Sequence, residues 1–421
     1  MTLAPLPPRR WSDAEREHAC EQLRTAGTIN ATGVELSADD VELLMKAAPR
    51  IDGRPHFERA VFVRTSFGDG CSFGGASFGD GASFRRATFG NDAFFEDRAT
   101  FGHDACFDRA TFGDRAGFGG ATFGDRAGFG EATFGMRASF LNATFGDKAF
   151  FGGATFGDRA ILNAVTFGDG ASFRGAALEG ASLVGTSLVG IRLNRARFDY
   201  RSSLERTRLF TIVDGDGVVI KTCPPWLGDV RWNGVQVTGV EDWGSAKEVG
   251  LGDDPDVMPV ESEPAVSESV NADIRADALN AAIRAHRQVG ALLDGQGMRE
   301  VAQDLDFRAS QLARRQQKGV GNVILWWALD RLTGYGYRPG RVLITYGVVV
   351  ASFALLYGWT GTTSWENAAF ASLLAFHGCG ISASDVVVGR LDVILPSIEA
   401  ALGLFVEALV VAVIIRRLFR R

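Results

Sequence analysis

Residues 107–135 read FDRATFGDRAGFGGATFGDRAGFGEATFG, and a phenylalanine returns in this stretch every five or six positions. From Phe107 to Leu178 the intervals alternate between five and six, so the visible unit has eleven residues. Neither an α-helix nor an ordinary strand has this period. The large apolar anchors run through most of the N-terminal half of the chain, including Phe57, Phe62, Phe67, Phe73, Phe78, Phe84, Phe89, Phe95, Phe101, Phe107, Phe112, Phe118, Phe123, Phe156, Leu162, Phe167, Phe173, Leu178, Leu193 and Phe198.

A repeat this short predicts a solenoid. No single unit can bury its own phenylalanine, so a core forms only when successive turns of the chain stack on one another. An alanine stands two residues before nearly every anchor, and a methyl group beside each ring leaves that ring room in a narrow coil. Examples of these alanines are Ala76, Ala82, Ala87, Ala93 and Ala99.

This A-x-F-x-x pattern, over residues 54–200, resembles the pentapeptide-repeat family. The resemblance implies a right-handed, quadrilateral β-helix in which the central Phe or Leu and the small residue before it point inward. The six-residue units depart from the family pattern by one residue, at a corner where Gly124, Asp125 and Arg126 supply turn chemistry. A calcium-binding β-roll would need a nine-residue glycine-rich repeat, so the observed period argues against it.

Composition and charge narrow the functional classes. The 421 residues leave room for two or three domains, and the net charge of −6 comes with Arg and Asp interleaved along the repeat rather than gathered in a basic stripe. We therefore expect no nucleic-acid partner. The five cysteines are scattered without CxxC spacing, which favours a reducing cytosol over a disulfide framework or a metal site. No nucleophile or acid–base grouping indicates an enzyme, and no cofactor is implied.

The segments around the repeat predict caps, a linker and a helical hairpin. Residues 1–53 are interpreted as an N-terminal helical cap with helices over 12–25 and 37–48, the second opened by a Ser37 and Asp40 capping box. The β-rich residues 201–250 extend or cap the coil, with strands at 218–220 and 235–240. An acidic flexible linker follows at 251–271. Residues 272–318 form a helical hairpin, which could also make a coiled contact between subunits.

Residues 319–421 predict an α-helical membrane domain. Two apolar stretches, 342–359 and 393–415, are each long enough for a transmembrane helix. Arginines precede the first stretch and follow the second, so the positive-inside rule predicts a multi-pass plasma-membrane protein with both termini in the cytoplasm. The lipid bilayer is therefore an expected partner.

A third apolar element, predicted as a helix over 364–377, lies between the two stretches and is too short to cross a bilayer. Thr363 and Glu366 suggest a capping box at its start. A short helix followed by a G-x-G loop resembles the re-entrant pore helix and filter of two-span potassium channels, and the likeness covers about 80 residues. It assigns a filter-like loop to Phe376, His377, Gly378, Cys379 and Gly380.

That family's filter reads T-V-G-Y-G, and here only the two glycines match. Potassium selectivity is therefore not supported. Gly378 and Gly380 could instead form a plain turn, and Cys379 is better explained as a small buried residue than as a nucleophile.

Three residues spaced by four, Glu399, Gly403 and Glu407, share one face of the last helix. Carboxylates inside a membrane span usually face a cavity or a partner, so these residues are pore-lining candidates. The alternative is a structural hydrogen bond to a neighbouring helix.

The favoured function is a channel or channel-like protein. We expect monovalent cations to pass, a homo-oligomer that is a tetramer by resemblance, and a cytosolic repeat domain that senses a signal or binds a protein. The alternative is a membrane-anchored scaffold without conduction. Soluble pentapeptide-repeat proteins that mimic DNA need a strongly acidic coil, and the interleaved arginines argue against that class.

Overall fold

The computed structural model describes residues 9–213, 219–222, 225–233, 235, 237, 240, 251, 253, 268–315, 339–360, 364–378 and 391–418. The chain divides into two compact units, Met1–Leu305 and Asp306–Arg421. The first contains a β-solenoid of the pentapeptide-repeat type, and the second is helical where it is described.

The N-terminal residues add two helices and short strands to the first coil. Helices α1 (Asp13–Ala26) and α2 (Ala38–Ala47) both begin with a capping box, in which a serine accepts a hydrogen bond from the backbone three residues on. The serine of α2 is Ser37, paired with Asp40, and the helix bounds lie close to the predicted ones. The apolar faces of both helices belong to the same hydrophobic core as the coil.

Each coil has four sides, because two-residue strands alternate along the chain with single-residue parallel bridges such as Ser83 to Cys106. The strands build two mainly parallel sheets on opposite sides of the coil. The first has the order β1 (Arg9–Arg10), β3 (Val34–Leu36), β7 (Ser66–Phe67), β9 (Thr88–Phe89), β11 (Thr111–Phe112), β13 (Thr133–Phe134) and β15 (Thr155–Phe156). The second has the order β16 (Thr166–Phe167), β14 (Thr144–Phe145), β12 (Thr122–Phe123), β10 (Thr100–Phe101), β8 (Ser77–Phe78), β5 (Arg54–Phe57) and β4 (Arg50–Ile51).

A separate pair near the N-terminus joins β2 (Thr28–Asn30) to β6 (Arg59–Val61). Register in the coil is regular: Thr122 and Phe123 pair with Thr144 and Phe145, one coil later. Like residues therefore lie on like residues along each side of the solenoid.

Stacked phenylalanine rings fill the interior. Phe123 stacks on Phe101 and Phe145 with ring centroids 4.7 and 4.6 Å apart, close to the spacing of about 4.8 Å between neighbouring strands. It also meets Phe129 of the next side edge-on at 5.4 Å. The alanines that precede the anchors, such as Ala121, are fully buried and give each ring its space. The inward-facing arrangement predicted from the repeat is therefore present.

The extra residue of the six-residue units follows the phenylalanine in the T-F-G-D motif. Asp125 turns its side chain along the coil axis, and its Oδ1 accepts a hydrogen bond from the backbone N–H of Asp147 at 2.9 Å. A Cβ on Gly146 would collide with that carboxylate. The backbone of the previous coil lies nearly as close, with N of Asp125 2.7 Å from that Cβ, so both the carboxylate and the backbone require glycine here. The aspartate contact recurs at Asp69, Asp80, Asp114 and Asp147.

From Phe173 to Phe198 the units have five residues, so bridged residues are 20 positions apart there, as from Ser172 to Arg192, and the coil continues past Phe198. Further bridges join Arg192 to Trp226 and Thr207 to Val240. The hairpin of β17 (Thr211–Val213) and β18 (Val219–Thr222) interrupts it. The predicted strand over 218–220 coincides with the start of β18, although Val218 itself lies outside the described residues. The predicted strand over 235–240 is absent at its described positions, where Val240 forms a single bridge.

The predicted linker over 251–271 is wrong at its first residues. Leu251 is fully buried, and the carboxylate of Asp253 accepts hydrogen bonds from the backbone N–H groups of Leu227 at 2.6 Å and Gly228 at 2.9 Å. Burial raises the pKa of Asp253 to about 6, against the opposing effect of these donors. Asp253 thus accepts backbone N–H groups of the last coils, as the corner aspartates of the repeat do in the earlier coils. A linker boundary predicted from composition cannot distinguish a buried, hydrogen-bonded aspartate from the acidic residues that follow it.

The residues of the predicted helical hairpin contain two helices, α3 (Glu268–Gly295) and α4 (Arg299–Arg314). Ala285, Val289 and Leu293 of α3 join the hydrophobic core of the solenoid. At the turn, the Gln296 amide accepts from the N–H of Val237 and donates to the carbonyl of Val235, which fixes the hairpin to the end of the coil.

The second unit contains α5 (Pro339–Thr360), α6 (Ala368–Phe376) and α7 (Leu391–Leu418). Within the part of the chain that the structure describes, no helix has both the length and the apolar character needed to cross a bilayer.

Candidate functional site in the C-terminal helices

The short helix α6 packs against both α5 and α7. Its sequence AAFASLLAF contains one polar residue, Ser372, which is fully buried. Its last residue, Phe376, is also fully buried and packs against Val406 of α7 and Tyr346, Val349 and Val350 of α5. The elements that carry the predicted filter and pore-lining residues therefore meet along α6.

Glu399 lies at the centre of this packing and is fully buried. Tyr357 of α5 donates its hydroxyl hydrogen to Glu399 Oε2 at 2.6 Å, and the hydroxyl of Ser372 bonds to Oε1. Both carboxylate oxygens thus have partners, so the cost of burying the group is offset within one subunit. The Ser372 hydroxyl also lies 2.8 Å from the carbonyl oxygen of Val350.

Gly403 lies one turn further along α7, against the C-terminal end of α6. A Cβ at this position would overlap with the carbonyl oxygen of Phe376. Glycine here permits a backbone-to-backbone approach between the two helices, which no other residue allows.

His377 and Glu407 form the polar end of the same contact. Nδ1 of His377 lies 2.5 Å from Oε1 of Glu407. On the other side of the ring, Nε2 of His377 lies 3.2 Å from the hydroxyl oxygen of Tyr346. The His377 and Glu407 side chains are 44% and 42% exposed, whereas the Glu399 side chain is fully buried.

Of the predicted filter-like loop, the structure describes Phe376, His377 and Gly378, whereas Cys379 and Gly380 lie outside the described residues. Gly378 has a φ of +70°, the left-handed conformation that favours glycine. The capping-box prediction is wrong for Glu366, because α6 begins at Ala368 with Asn367 in the cap position and no side-chain cap bond.

The three residues predicted to share one face of α7 do share it, and that face is turned towards α6. Glu399 meets Ser372, Gly403 meets Phe376, and Glu407 meets His377. The periodicity of the last helix did not indicate which residues of α5 and α6 contact this face. Tyr346 and Tyr357 carry no distinguishing signal in the sequence, but Ser372 could have been found as the single polar residue of an apolar helix.

Large apolar side chains cover the outside of this unit. Ile344 and Leu355 of α5, Phe370 of α6 and Leu404 of α7 are each between 64% and 67% exposed. Large exposed apolar side chains on all three helices are typical of a surface that contacts protein or lipid. In the described residues, no group of three or more His, Cys, Asp or Glu side chains could hold a metal ion.

Several solved structures are similar to this chain. The chain is similar to QnrB1, a plasmid-mediated fluoroquinolone resistance protein, with 17% identity and a TM-score of 0.21 over 44% of this chain and 83% of that chain. No family model and no curated protein matches the chain. The assignment of a pentapeptide-repeat solenoid rests on the repeating strands and bridges of this chain itself.

Proposed function

We propose that the chain is a channel-like membrane protein, with α5, α6 and α7 embedded in a bilayer and the solenoid in the cytosol as a sensing or docking domain. The observation that carries the proposal is the distribution of side chains in the helical unit. Polar groups meet along α6, while large apolar groups such as Ile344 and Leu404 face outward. Polar groups inside and apolar groups outside are the arrangement expected of helices surrounded by lipid. The proposal depends on that surface and not on the length of any one helix.

A pore needs several copies, because three helices of one subunit cannot enclose an aqueous path. Four subunits are the number implied by the resemblance to two-span channels. The polar groups available to a shared cavity are His377, which directly follows α6, and Glu407 of α7, since both are partly exposed. Carboxylates gathered from several subunits would favour cations over anions.

One observation favours a second function, a membrane-anchored scaffold without conduction. Glu399 is fully buried, and both of its carboxylate oxygens are bonded inside its own subunit. Such a carboxylate stabilises the packing of three helices whether or not a pore exists. The solenoid would then be the functional part of the chain.

Recordings from the purified full chain in a planar bilayer separate these functions. We expect cation-selective current, a smaller conductance or weaker selectivity in Glu407→Gln, and no current in Gly378→Val, since valine strains the left-handed backbone there. Gly347→Ala is the control, because a Cβ at Gly347 meets no neighbouring atom. An inserted, assembled oligomer that passes no current under any voltage, pH or calcium concentration tried would leave the scaffold as the function.

A further inference from the structure

A cleft of about 710 Å³ lies between the last coils of the solenoid and helix α3. It stays open because α3 presents the small residues Ala278 and Ala281 to it. Cavities of several hundred cubic ångströms are the usual size of small-molecule sites in proteins. The cleft lies wholly within the first unit of the chain.

One wall is a row of outward-facing side chains from successive coils. Parallel bridges place Phe150, Ser172, Arg192 and Trp226 one above another. The residue after each of them is an inward-facing anchor, so these four point away from the core. The Arg192 guanidinium lies 5.6 Å from the centre of the Trp226 ring, and this cation–π contact holds it in place.

The lining of the cleft contains four arginines and three aspartates, a surplus of one positive charge. Arg284 of α3 is paired with Asp229, with Nε 3.1 Å from Oδ1. The carboxylate of Asp253 is occupied by two backbone N–H groups and by the Asn194 amide at 2.5 Å. Three further arginines line the cleft without an ion-pair partner among the described residues, facing one free carboxylate, that of Asp277; they are Arg174, Arg192 and Arg195.

We propose that this cleft binds a small organic anion in which a planar ring carries a phosphate or carboxylate group. The planar guanidinium fork of arginine matches both anions in a bidentate geometry. Trp226 is half-buried and Phe150 is 47% exposed, so the row offers aromatic surface on which a ring can stack. Nothing in the proposal depends on the helices of the second unit or on conduction.

Calorimetric titration of the full chain in non-ionic detergent tests the proposal with four probes: adenosine monophosphate, 2-naphthoate, adenosine and inorganic phosphate. We expect at least one of the two ring-bearing anions to bind saturably. Adenosine lacks the anion and inorganic phosphate lacks the ring, so each should bind at least about tenfold more weakly. Binding of the monophosphate alone would identify a phosphate ligand, and binding of the naphthoate alone a carboxylate ligand.

Arg195→Gln should weaken binding of the ring-bearing anion about tenfold, and higher salt should weaken it in the unaltered chain. Arg137→Gln is the matched control, because Arg137 is also an exposed corner arginine, with a φ of 60° against 61° for Arg195, and lies outside the cleft. Ala281→Trp should abolish binding by filling the space. The proposal is overturned if neither ring-bearing anion saturates at millimolar concentration, if inorganic phosphate binds as tightly as the monophosphate, or if Arg195→Gln and Arg137→Gln behave alike.

Discussion

At the scale of single residues, the solenoid depends on side chains that repeat one coil apart. Phe123 is almost fully buried and contacts rings above, below and beside it. Arg126, three residues later, projects from a corner and forms an exposed ion pair with Asp104 of the previous coil. Two residues only three positions apart therefore differ in role: Phe123 is part of the hydrophobic core, and Arg126 is not.

Phe123→Ala should lower the free energy of unfolding by about 3–5 kcal/mol, because the ring's neighbours are tied into stacked strands and cannot collapse into the void. Thermal or denaturant unfolding of the full chain in detergent, followed by far-ultraviolet circular dichroism, measures this. Arg126→Ala serves as control and should leave the midpoint nearly unchanged, since exposed ion pairs contribute little. Equal, mild effects of the two substitutions would contradict the stacked-ring account.

The inward phenylalanines were predictable because their spacing is a property of the sequence alone. The role of Asp125 was not. Its residue type indicated a turn, but its side chain also accepts a backbone N–H of the following coil, and this carboxylate together with the backbone beside it leaves no room for a Cβ at Gly146. Two residues 21 positions apart depend on each other here, and nothing local in the sequence records it.

At the scale of elements, the packing of α6 on α7 is set by the closest approach of their backbones. Gly403 lies at that point, against the carbonyl oxygen of Phe376. Sequence periodicity correctly placed Glu399, Gly403 and Glu407 on one helix face. It could not say what covers the face, because a period of 3.6 residues identifies neighbours within a helix and not across helices.

Gly403→Ala should cost about 1–3 kcal/mol, because the added methyl group overlaps with backbone and the two helices must separate. Gly347→Ala in α5 adds the same group where no atom lies within 4 Å. That control should be neutral or stabilising by up to about 1 kcal/mol, since alanine favours a helix. The midpoints of thermal unfolding of both variants in detergent give the comparison. If Gly403→Ala is as stable as Gly347→Ala, the close approach of α6 and α7 is not present.

At the scale of the whole molecule, the chain joins a repeat domain with a polar exterior to a helical unit with an apolar one. The repeat domain could be anticipated in outline, but its C-terminal limit could not. Bridges extend the coil to Val240, and Asp253 is bound to it at a position where composition indicated a linker. These last coils lack the phenylalanine spacing that identifies the earlier ones, so the sequence contains no comparable signal.

The proposed membrane topology predicts where an impermeant reagent can reach. In intact cells, single cysteines introduced at Gly361 and Ser384 should react with a membrane-impermeant maleimide. Cysteines at Tyr200, which is 77% exposed, and at Arg421 should react only after the cells are opened. Labelling of the unaltered chain gives the background from its native thiols. Reaction of the Arg421 position from outside would contradict a two-span arrangement with both termini in the cytoplasm.

The constant register of the coil also bears on how the protein can change its length. Thr122 lies beside Thr144, so duplicating or deleting one whole coil of 22 residues returns every later residue to its original side. Gain or loss of one eleven-residue unit would instead turn the N-terminal helices half a revolution relative to the far end, while leaving the local repeat intact. A change in the number of units therefore has one of two effects. Two added units make one coil and lengthen the solenoid by about 4.8 Å, whereas one added unit reverses which surfaces of its two ends face the same way.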